Sequence, residues 1–333
     1  RTYVGLFGAL RGEVKNVSVA NSYFRAADDV GGVCGYLYYY GAITNCHNSG
    51  TITVTADHAK IGGGCGYSYE GTITNCSNSG NVTVVAAEKE TYASAGGVCG
   101  KMFEGTILNC NNSGSVTATA EYAQSGGVCG DNNGIIVNSY SYGSVTATAD
   151  FAGAGGVGGL NYGTMKNCYY LSGTVVGGTN REDAVGSVEA KTAEQFASGE
   201  VAYLLQGTQT EAVWGQNIDG EEPHEAYPVL GGAKVYYGYA NCETNVPTYS
   251  NNELADVPGH DYDINGYCKR CNDYAEIEAD EEGVYQLSIA YHLYWFAAHV
   301  NEGNTSANAV LVNDIDLNGK SWDNFRIGGQ GWN

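Results

Sequence analysis

The chain has little proline, little methionine and little positive charge. Its 333 residues include 4 prolines, 2 methionines and 15 lysines and arginines against 36 aspartates and glutamates. The resulting formal charge of −21 repels phosphate backbones, which argues against nucleic acid as a partner. No segment reaches the roughly twenty apolar residues of a membrane span, and no signal peptide is recognisable. Because the sequence starts inside a repeat, we expect it to be a piece of a longer protein.

Catalytic motifs are missing as well. None of the six histidines lies in an HExxH context, and no GxSxG nucleophile motif occurs. A polysaccharide lyase would need basic residues beside carboxylates on one face, but the basic residues of the first half do not recur at repeating positions. Nothing in the sequence selects a pair of carboxylates for glycoside hydrolysis. We therefore expect a protein that is not an enzyme.

Glycine and tyrosine are abundant, at 49 and 27 residues, and two short elements recur through the first half of the chain. An Asn-Cys pair or a close variant follows the first element at a steady distance, and the period is about thirty residues, as in solenoids. The first element occurs as GLFG at Gly5–Gly8 and as GGVCG or a variant at Gly31–Gly35, Gly62–Gly66, Gly96–Gly100, Gly126–Gly130 and Gly155–Gly159.

Each repeat predicts one coil of a β-solenoid. The TITN and VTVTA stretches alternate threonine with apolar residues, which is typical of half-buried strands. Stacked coils would lie about 4.8 Å apart and would place equal residues in ladders. The sequence therefore predicts a mainly β protein with a right-handed-type β-solenoid, or β-helix, of about six coils over residues 1–180.

The asparagine of the second element forms the first predicted ladder. An inward asparagine at a turn can bond to the backbone of the next coil and satisfy buried polar groups. We expect this role for Asn16, Asn45, Asn75, Asn109, Asn138 and Asn167.

Eight cysteines form the second ladder. Three coils carry both cysteine positions, so two states remain open: a column of buried thiols, or disulfides within single coils. The candidates are Cys34, Cys46, Cys65, Cys76, Cys99, Cys110, Cys129 and Cys168.

Two further rows have open roles. Asp57, Glu88, Glu121 and Asp150 follow the VTVTA strands, where they would either bind calcium or form a solvated acidic edge that blocks aggregation. Aromatic residues follow the glycine motifs, and they would either stack on sugar rings or pack on neighbouring coils; they include Tyr36, Tyr38, Tyr39, Tyr40, Tyr67, Tyr69 and Phe103.

The second half of the chain changes character. Residues 181–240 predict a cap or junction, with a helix capped by Thr192 and Gln195, interrupted at Gly199 and stopped at Gly207. Residues 281–333 predict a helix over 286–301 with Ser288 as its N-cap, followed by strands that open another solenoid module.

Residues 241–280 form a small Cys/His segment. Cys268 and Cys271 make a CxxC pair, and Cys242 and His260 would complete a four-ligand structural zinc site. A segment of this size without an evident core needs such a staple. The alternative is a disulfide between two of these cysteines, with His260 at the surface.

The GLFG and GGVCG elements followed by TNC-x-NSG resemble the GLUG repeats of large secreted and cell-wall proteins of bacteria. The resemblance covers residues 1–180 and implies a non-catalytic extracellular protein, either an adhesin or a component of a surface fibre. It also implies joining end to end with adjacent modules or other copies, and host glycan or protein as further partners. Two alternatives remain: an accessory stalk of a secreted peptidase, and a carbohydrate-active β-helix enzyme.

Overall fold

A computed structural model of the chain describes residues 3–24, 28–86, 88, 90–176, 186–240, 242, 246–256, 258–262, 268–270 and 275–316. The chain divides into two compact units. The first unit comprises residues 1–236 with 250–252, and the second comprises residues 237–249 and 253–333. The predicted segments 1–180 and 181–240 thus lie largely in one unit.

The repeats fold into stacked coils, and the strands of successive coils pair in parallel. Each coil begins with a strand on what we call face one, which precedes the glycine-rich turn. Six strands form this face: Tyr3–Val4, Asp29–Gly31, Lys60–Gly62, Tyr92–Gly96, Tyr122–Gly126 and Phe151–Gly155.

Face two follows the glycine-rich turn, and short strands continue it around the Asn-Cys corner into the same sheet of 16 strands. The strands of face two are Phe7–Leu10, Glu13–Lys15, Cys34–Leu37, Ala42–Thr44, Cys65–Tyr69, Thr72–Thr74, Cys99–Leu108, Cys129–Val137, Gly158–Asn161, Thr164–Leu171 and Gly186–Lys191. The corner strands are Ser18–Val19, His47–Asn48, Ser77–Asn78, Asn111–Asn112 and Tyr140–Ser141.

Face three closes each coil and carries the alternating VTVTA pattern. Its six strands are Tyr23–Phe24, Thr51–Thr55, Val82–Val85, Val116–Thr119, Val145–Thr148 and Val175–Val176. Ile52 and Val54 are fully buried while Thr55 is exposed, as period-two alternation requires. The predicted β-solenoid of about six coils is therefore confirmed.

The interior of the coil stack is divided into two cores. One core contains the cysteines together with residues such as Leu37, Ile43 and Ile107. The other contains the apolar residues of faces one and three, such as Ile52 and Ile61. Both cores are built from small and β-branched side chains that repeat from coil to coil, so each residue packs on its own equivalents.

A pinch between a glycine and an asparagine separates the two cores in the second, third and fourth coils. In the third coil, Asn78 is 1% exposed and lies directly against Gly63 at the glycine-rich turn. A Cβ on Gly63 would overlap the Asn78 side chain. Gly32 with Asn48 and Gly97 with Asn112 repeat the arrangement. The second glycine of the motif is therefore required by close approach of opposite sides of the coil.

The remainder of the first unit packs on the last coils. Helix α1 spans Ala193–Ala197 and helix α2 spans Glu200–Gln206. Thr192 and Gln195 form the predicted capping box, Gly199 separates the helices at φ 86°, and Gly207 ends the second. Strands Trp214–Gly215 and Val229–Leu230 pair antiparallel, and a core of aromatic and aliphatic residues joins this cap to the coils.

The second unit contains helix α3, Ala290–Asn301, between the parallel strands Val284–Leu287 and Asn308–Leu311. The strands Tyr236–Gly238 and Thr248–Ser250 pair with each other, and all of their residues except Tyr236 and Ser250 belong to the second unit. The predicted inward residues of α3 are buried: Leu293, Phe296, Ala297 and Val300. No helix in the described part of the chain has the length and apolar character needed to cross a membrane.

The predicted N-cap of α3 is wrong. The helix starts one residue later than expected from a Ser288 cap, with Ile289 as N-cap and no side-chain hydrogen bond. Instead, the backbone N–H of Ser288 donates to Nδ1 of His292 at 3.2 Å. A side chain within the helix thus bonds back to the preceding backbone, and this contact has no simple pattern in the sequence.

Candidate functional site

A Cys/His cluster in the second unit has the composition of a metal site. The ligand atoms of Cys242, His260 and Cys268 all lie within 4.8 Å of one another. The two sulfur atoms are 3.4 Å apart. Both cysteines are buried and His260 is exposed. Cys271, the fourth predicted ligand, lies outside the described residues.

Local contacts bring these ligands together. Tyr262 and Cys268 form an antiparallel bridge, and the Lys269 N–H donates to the Asp261 carbonyl at 3.1 Å. The ring of His260 stacks on that of Tyr262, with centroids 4.9 Å apart and planes 8° apart. Two sulfurs and an imidazole form a donor set suited to zinc or a similar soft divalent ion.

The acidic row does not form a comparable cluster. In the described part of the chain, the Cys/His group is the only set of three or more His, Cys, Asp or Glu residues close enough to hold a metal ion. Asp57, Glu88 and Asp150 are exposed, and Glu121 accepts a hydrogen bond from the Glu90 N–H at 2.8 Å. This geometry fits the solvated acidic edge and not the calcium alternative.

The eight repeat cysteines form two buried columns, one on each side of the same core. Face two aligns Cys34, Cys65, Cys99 and Cys129 in register. The sulfur of Cys34 lies 3.7 Å from that of Cys65, and burial raises the pKa of the Cys65 thiol. Contacts therefore run between coils, and no disulfide joins two cysteines of one coil in the described part of the chain. The structure thus has the buried-thiol state and not the within-coil disulfides.

The second column lies at the Asn-Cys corner and consists of Cys46, Cys76, Cys110 and Cys168. The Cys46 N–H donates to the sulfur of Cys76, and the Cys76 N–H donates to that of Cys110, both at 3.4 Å. Ser139 replaces cysteine in the next coil, and its hydroxyl accepts from the Cys110 N–H at 3.0 Å. The thiols therefore serve as acceptors for backbone groups, which explains why serine substitutes for one of them.

The predicted asparagine ladder lies at the outer corner of the coils and not inside them, and of its six residues Asn109 alone is buried, at 3% exposure. All six residues adopt left-handed backbone conformations, with φ between 50° and 57°: Asn16, Asn45, Asn75, Asn109, Asn138 and Asn167. Asn16 and Asn45 are exposed, and the Asn45 side chain donates to that of Asn16 at 3.3 Å. Asparagine is favoured here because it tolerates the left-handed region better than other residues with a Cβ.

Part of this ladder receives the cap. The Asn109 side chain donates to Oε1 of Gln209 at 3.0 Å, and that of Asn167 donates to the Leu204 carbonyl at 2.8 Å. The indole N–H of Trp214 donates to the Asn138 carbonyl at 3.1 Å. No pattern in the sequence predicts this role, because it depends on a segment far away along the chain.

The internal ladder is formed instead by the asparagine of the NSG triplet. Asn48 donates to Asn78 at 2.7 Å, and Asn78 donates to Asn112 at 2.8 Å. Each of these side chains also bonds to backbone groups two residues on, as Asn78 does to the Gly80 carbonyl at 2.7 Å. The signal for this ladder was present in the repeated NSG triplets, three residues after each predicted position.

The aromatic residues after the glycine motifs pack mainly on one another. Tyr36 lies 4.8 Å from Tyr3 and 5.0 Å from Tyr67 between ring centroids. Burial raises the pKa of Tyr67 to about 12. Tyr40 is 84% exposed, so this row is packed at its inner side and open at its outer side.

Comparison with known proteins supports the assignment of the repeats. Residues 27–53 match the family model of the GLUG motif, and the match together with the six stacked coils fits a GLUG-repeat β-solenoid protein. No curated protein is significantly similar in sequence. A solved structure from Bacteroides ovatus, a candidate immunoglobulin A1 protease, is 16% identical with a TM-score of 0.36, over 66% of this chain and 87% of that one.

Proposed function

We propose that this chain is a non-catalytic part of an extracellular bacterial surface protein and acts as an adhesin or as a component of a surface fibre. The observation that carries the proposal is the stacking of near-identical coils in register. Backbone groups of each coil bond to the next coil, for example Asn75 N–H to the Leu108 carbonyl at 3.0 Å. Such a stack holds an extended surface rigidly and displays side chains in rows.

End-to-end extension is part of this proposal. Solenoid coils stack through parallel strand edges, and an uncovered edge is a template for further pairing. The second unit contains a parallel strand pair with exposed apolar residues at Val310, Leu311 and Val312. We propose that this pair opens a further coil stack, supplied by an adjacent module of the same protein or by another copy.

A structural zinc ion in the second unit is a further element of the proposal. Cys242, His260 and Cys268 would supply three ligands and Cys271 the fourth. The described residues between 242 and 270 include few buried apolar side chains, so a metal would take the place of a core. The ion would stabilise the fold and take no part in a reaction.

Display of the whole chain on the surface of a non-adherent bacterium tests the adhesin proposal. We expect adhesion to mucin-coated or epithelial surfaces to increase relative to cells that display an unrelated solenoid of similar length. Electron microscopy of the same cells should show thin projections. Cells that neither adhere nor carry projections would contradict the proposal, and so would peptidase or glycosidase activity in the purified chain.

A further inference from the structure

A groove runs along the coil stack between the outer surfaces of faces one and two. The last glycine of each GGVCG motif lies at its base. A Cβ added to Gly130 would lie 2.8 Å from the backbone nitrogen of Ala95 and 2.6 Å from the Gly100 carbonyl oxygen. The base therefore holds no side chain, and the two faces stand apart as walls. The groove is the outer counterpart of the pinch inside the coil.

Side chains in register line this groove, which we call the axial groove. It encloses about 860 Å³, within the range of small-molecule and oligosaccharide sites. On face one the inner row consists of Lys60, Ser94, Gln124 and Gly153. On face two the inner row consists of Tyr67, Lys101, Asp131 and Leu160.

A stacked aromatic row forms the outer rim on the side of face one. The ring of Tyr92 lies 4.6 Å from that of Tyr122, and Tyr122 lies 4.9 Å from Phe151, with planes 13° and 9° apart. Stacked rings expose only their edges, except at the end of the row. Phe151 is 58% exposed, and its outer face meets no other ring among the described residues. It therefore offers a flat apolar platform.

Lys60 and Phe151 lie toward opposite ends of the groove. The ammonium of Lys60 lies 3.1 Å from the carboxylate of Asp29 and 5.5 Å from the centre of the Tyr67 ring across the groove. Toward the last coils, Gly153 adds no side chain to the wall next to Phe151.

The charge of the groove selects against anions. Lys101 pairs with Asp131 at 2.6 Å and Lys60 pairs with Asp29, so both cations are neutralised. Asp150 adds a further negative charge at the rim. Backbone N–H and C=O groups of both walls bond to adjacent coils, which leaves no free strand edge for a peptide. Recognition must use hydroxyl, amide and charged side chains together with an aromatic platform.

We propose that the axial groove binds a neutral linear oligosaccharide. One sugar ring stacks on Phe151, and hydroxyl groups of the oligosaccharide bond to Ser94, Gln124 and the Lys101–Asp131 pair. A sugar presents C–H groups on one face, which suits the negative face of an aromatic ring. Its many hydroxyl groups match a wall of mixed donors and acceptors. This inference names the ligand class for the adhesin role and in that sense rests on it.

Calorimetric titration of the whole chain with linear neutral hexasaccharides of glucose, xylose, mannose and N-acetylglucosamine tests the proposal. We expect saturable binding of at least one of them. Phe151→Ala should weaken it about tenfold or more, and Gln124→Ala should weaken it as a second, independent change. Tyr23→Ala is the matched control because Tyr23 is 64% exposed on face three and should leave the affinity unchanged.

Several outcomes would overturn the proposal. These are no binding of any neutral hexasaccharide by the folded chain, preference for polygalacturonate or for extended peptides, and equal loss in Phe151→Ala and Tyr23→Ala. If cells displaying the chain still adhere, such a failure removes the groove assignment and leaves the adhesin role. Shortened sugar products that disappear in Phe151→Ala would support binding in the groove and would contradict only the non-catalytic role.

Discussion

Two kinds of asparagine stabilise the coils by different means. Asn78 is buried and bonds both to its neighbours in the ladder and to the backbone. Asn45 is exposed and occupies a left-handed corner. The two residues belong to the same short repeated stretch, yet one acts through hydrogen bonds and the other through its backbone conformation.

For the buried ladder, we expect Asn78→Ala to lower the free energy of unfolding of the first unit by about 2 kcal/mol. The change leaves buried partners on both sides without a hydrogen bond. Denaturant titration followed by circular dichroism measures the effect. Asn81→Ala removes only a solvent-exposed hydrogen bond, which the Asn81 side chain accepts from the Ser115 N–H, and should change stability by less than about 0.5 kcal/mol. Equal effects of the two changes would contradict a structural role for the ladder.

For the surface corner, we expect Asn45→Ala to destabilise the first unit by about 1 kcal/mol, because alanine is strained in the left-handed region. Asn45→Gly should stay within a few tenths of a kcal/mol of the parent, because glycine adopts that conformation without strain. The same denaturant titration separates the two. If glycine destabilises as much as alanine, the side-chain contact with Asn16 is the important feature and not the backbone conformation.

At the residue scale, the sequence predicted which types form ladders but not always where they point. The repeated asparagine before cysteine was expected inside the coil, and it lies at the corner. A period gives the register between coils, but it does not say which side of a turn faces inward. The direction of a side chain at the turn depends on the backbone φ there. The close packing of Gly63 against Asn78 determines which side of the turn faces inward.

Helix α3 is the element in which protonation and structure are coupled most directly. Burial lowers the pKa of His292, and its Nδ1 accepts a hydrogen bond from the Ser288 N–H. Only the neutral ring can accept there. Protonation of His292 would therefore remove the hydrogen bond that its Nδ1 accepts from the Ser288 N–H before the helix.

We expect the second unit to lose stability as the pH falls. In the unfolded chain the pKa of His292 is about 6.5, and in the folded chain it is lower. At a pH between these two values, the unfolded chain binds a proton that the folded chain does not. Stability then falls through this interval and levels off below it. Denaturant midpoints of the second unit between about pH 7.5 and about pH 5 measure the slope. His292→Gln should reduce the slope, and an unchanged slope would contradict this role.

At the element scale, strands and helices were largely predictable. Alternation of threonine with valine gave the strands of face three, and the Thr192–Gln195 capping box gave the start of α1. The strand Val284–Leu287 was missed because its last two residues, Gln286 and Leu287, fell within the span assigned to the helix. A short apolar stretch next to a helix fits both the helical and the strand periodicity of apolar residues. Here parallel pairing with Asn308–Leu311 makes the stretch a strand.

Metal removal should lower the stability of the second unit and not that of the first. If zinc joins Cys242, His260 and Cys268, a chelator should lower the thermal unfolding temperature of the second unit and leave the first unit unchanged. Differential scanning calorimetry with elemental analysis measures both. We expect about one zinc per chain in the parent and its loss in Cys268→Ser.

Cys110→Ser is the control for the metal experiment. Ser139 already occupies the equivalent position in the next coil, so this change should keep the zinc content. Full zinc content in Cys268→Ser, or a chelator effect confined to the first unit, would contradict the assignment.

For the whole molecule, the number of coils and the alignment of the cysteines followed from the period alone. The contacts between the cap and the coils did not, and neither did the axial groove. Gln209, Leu204 and Trp214 bond to Asn109, Asn167 and Asn138 across long stretches of chain, and no local pattern contains such partners. The groove depends on the angle between faces one and two, and this angle arises from the pinch. The order of the strands along the chain does not predict it.

The connection from face three to face one has a consequence for how this molecule can diversify. It differs in length from coil to coil, as the steps from Thr55 to Lys60, from Val85 to Tyr92 and from Thr148 to Phe151 illustrate. These connections lead directly into the aromatic rim, whose residues begin the strands of face one, while the glycine and asparagine contacts lie elsewhere in the coil. Related chains can therefore acquire new specificities through insertions at this one corner and retain an unaltered framework.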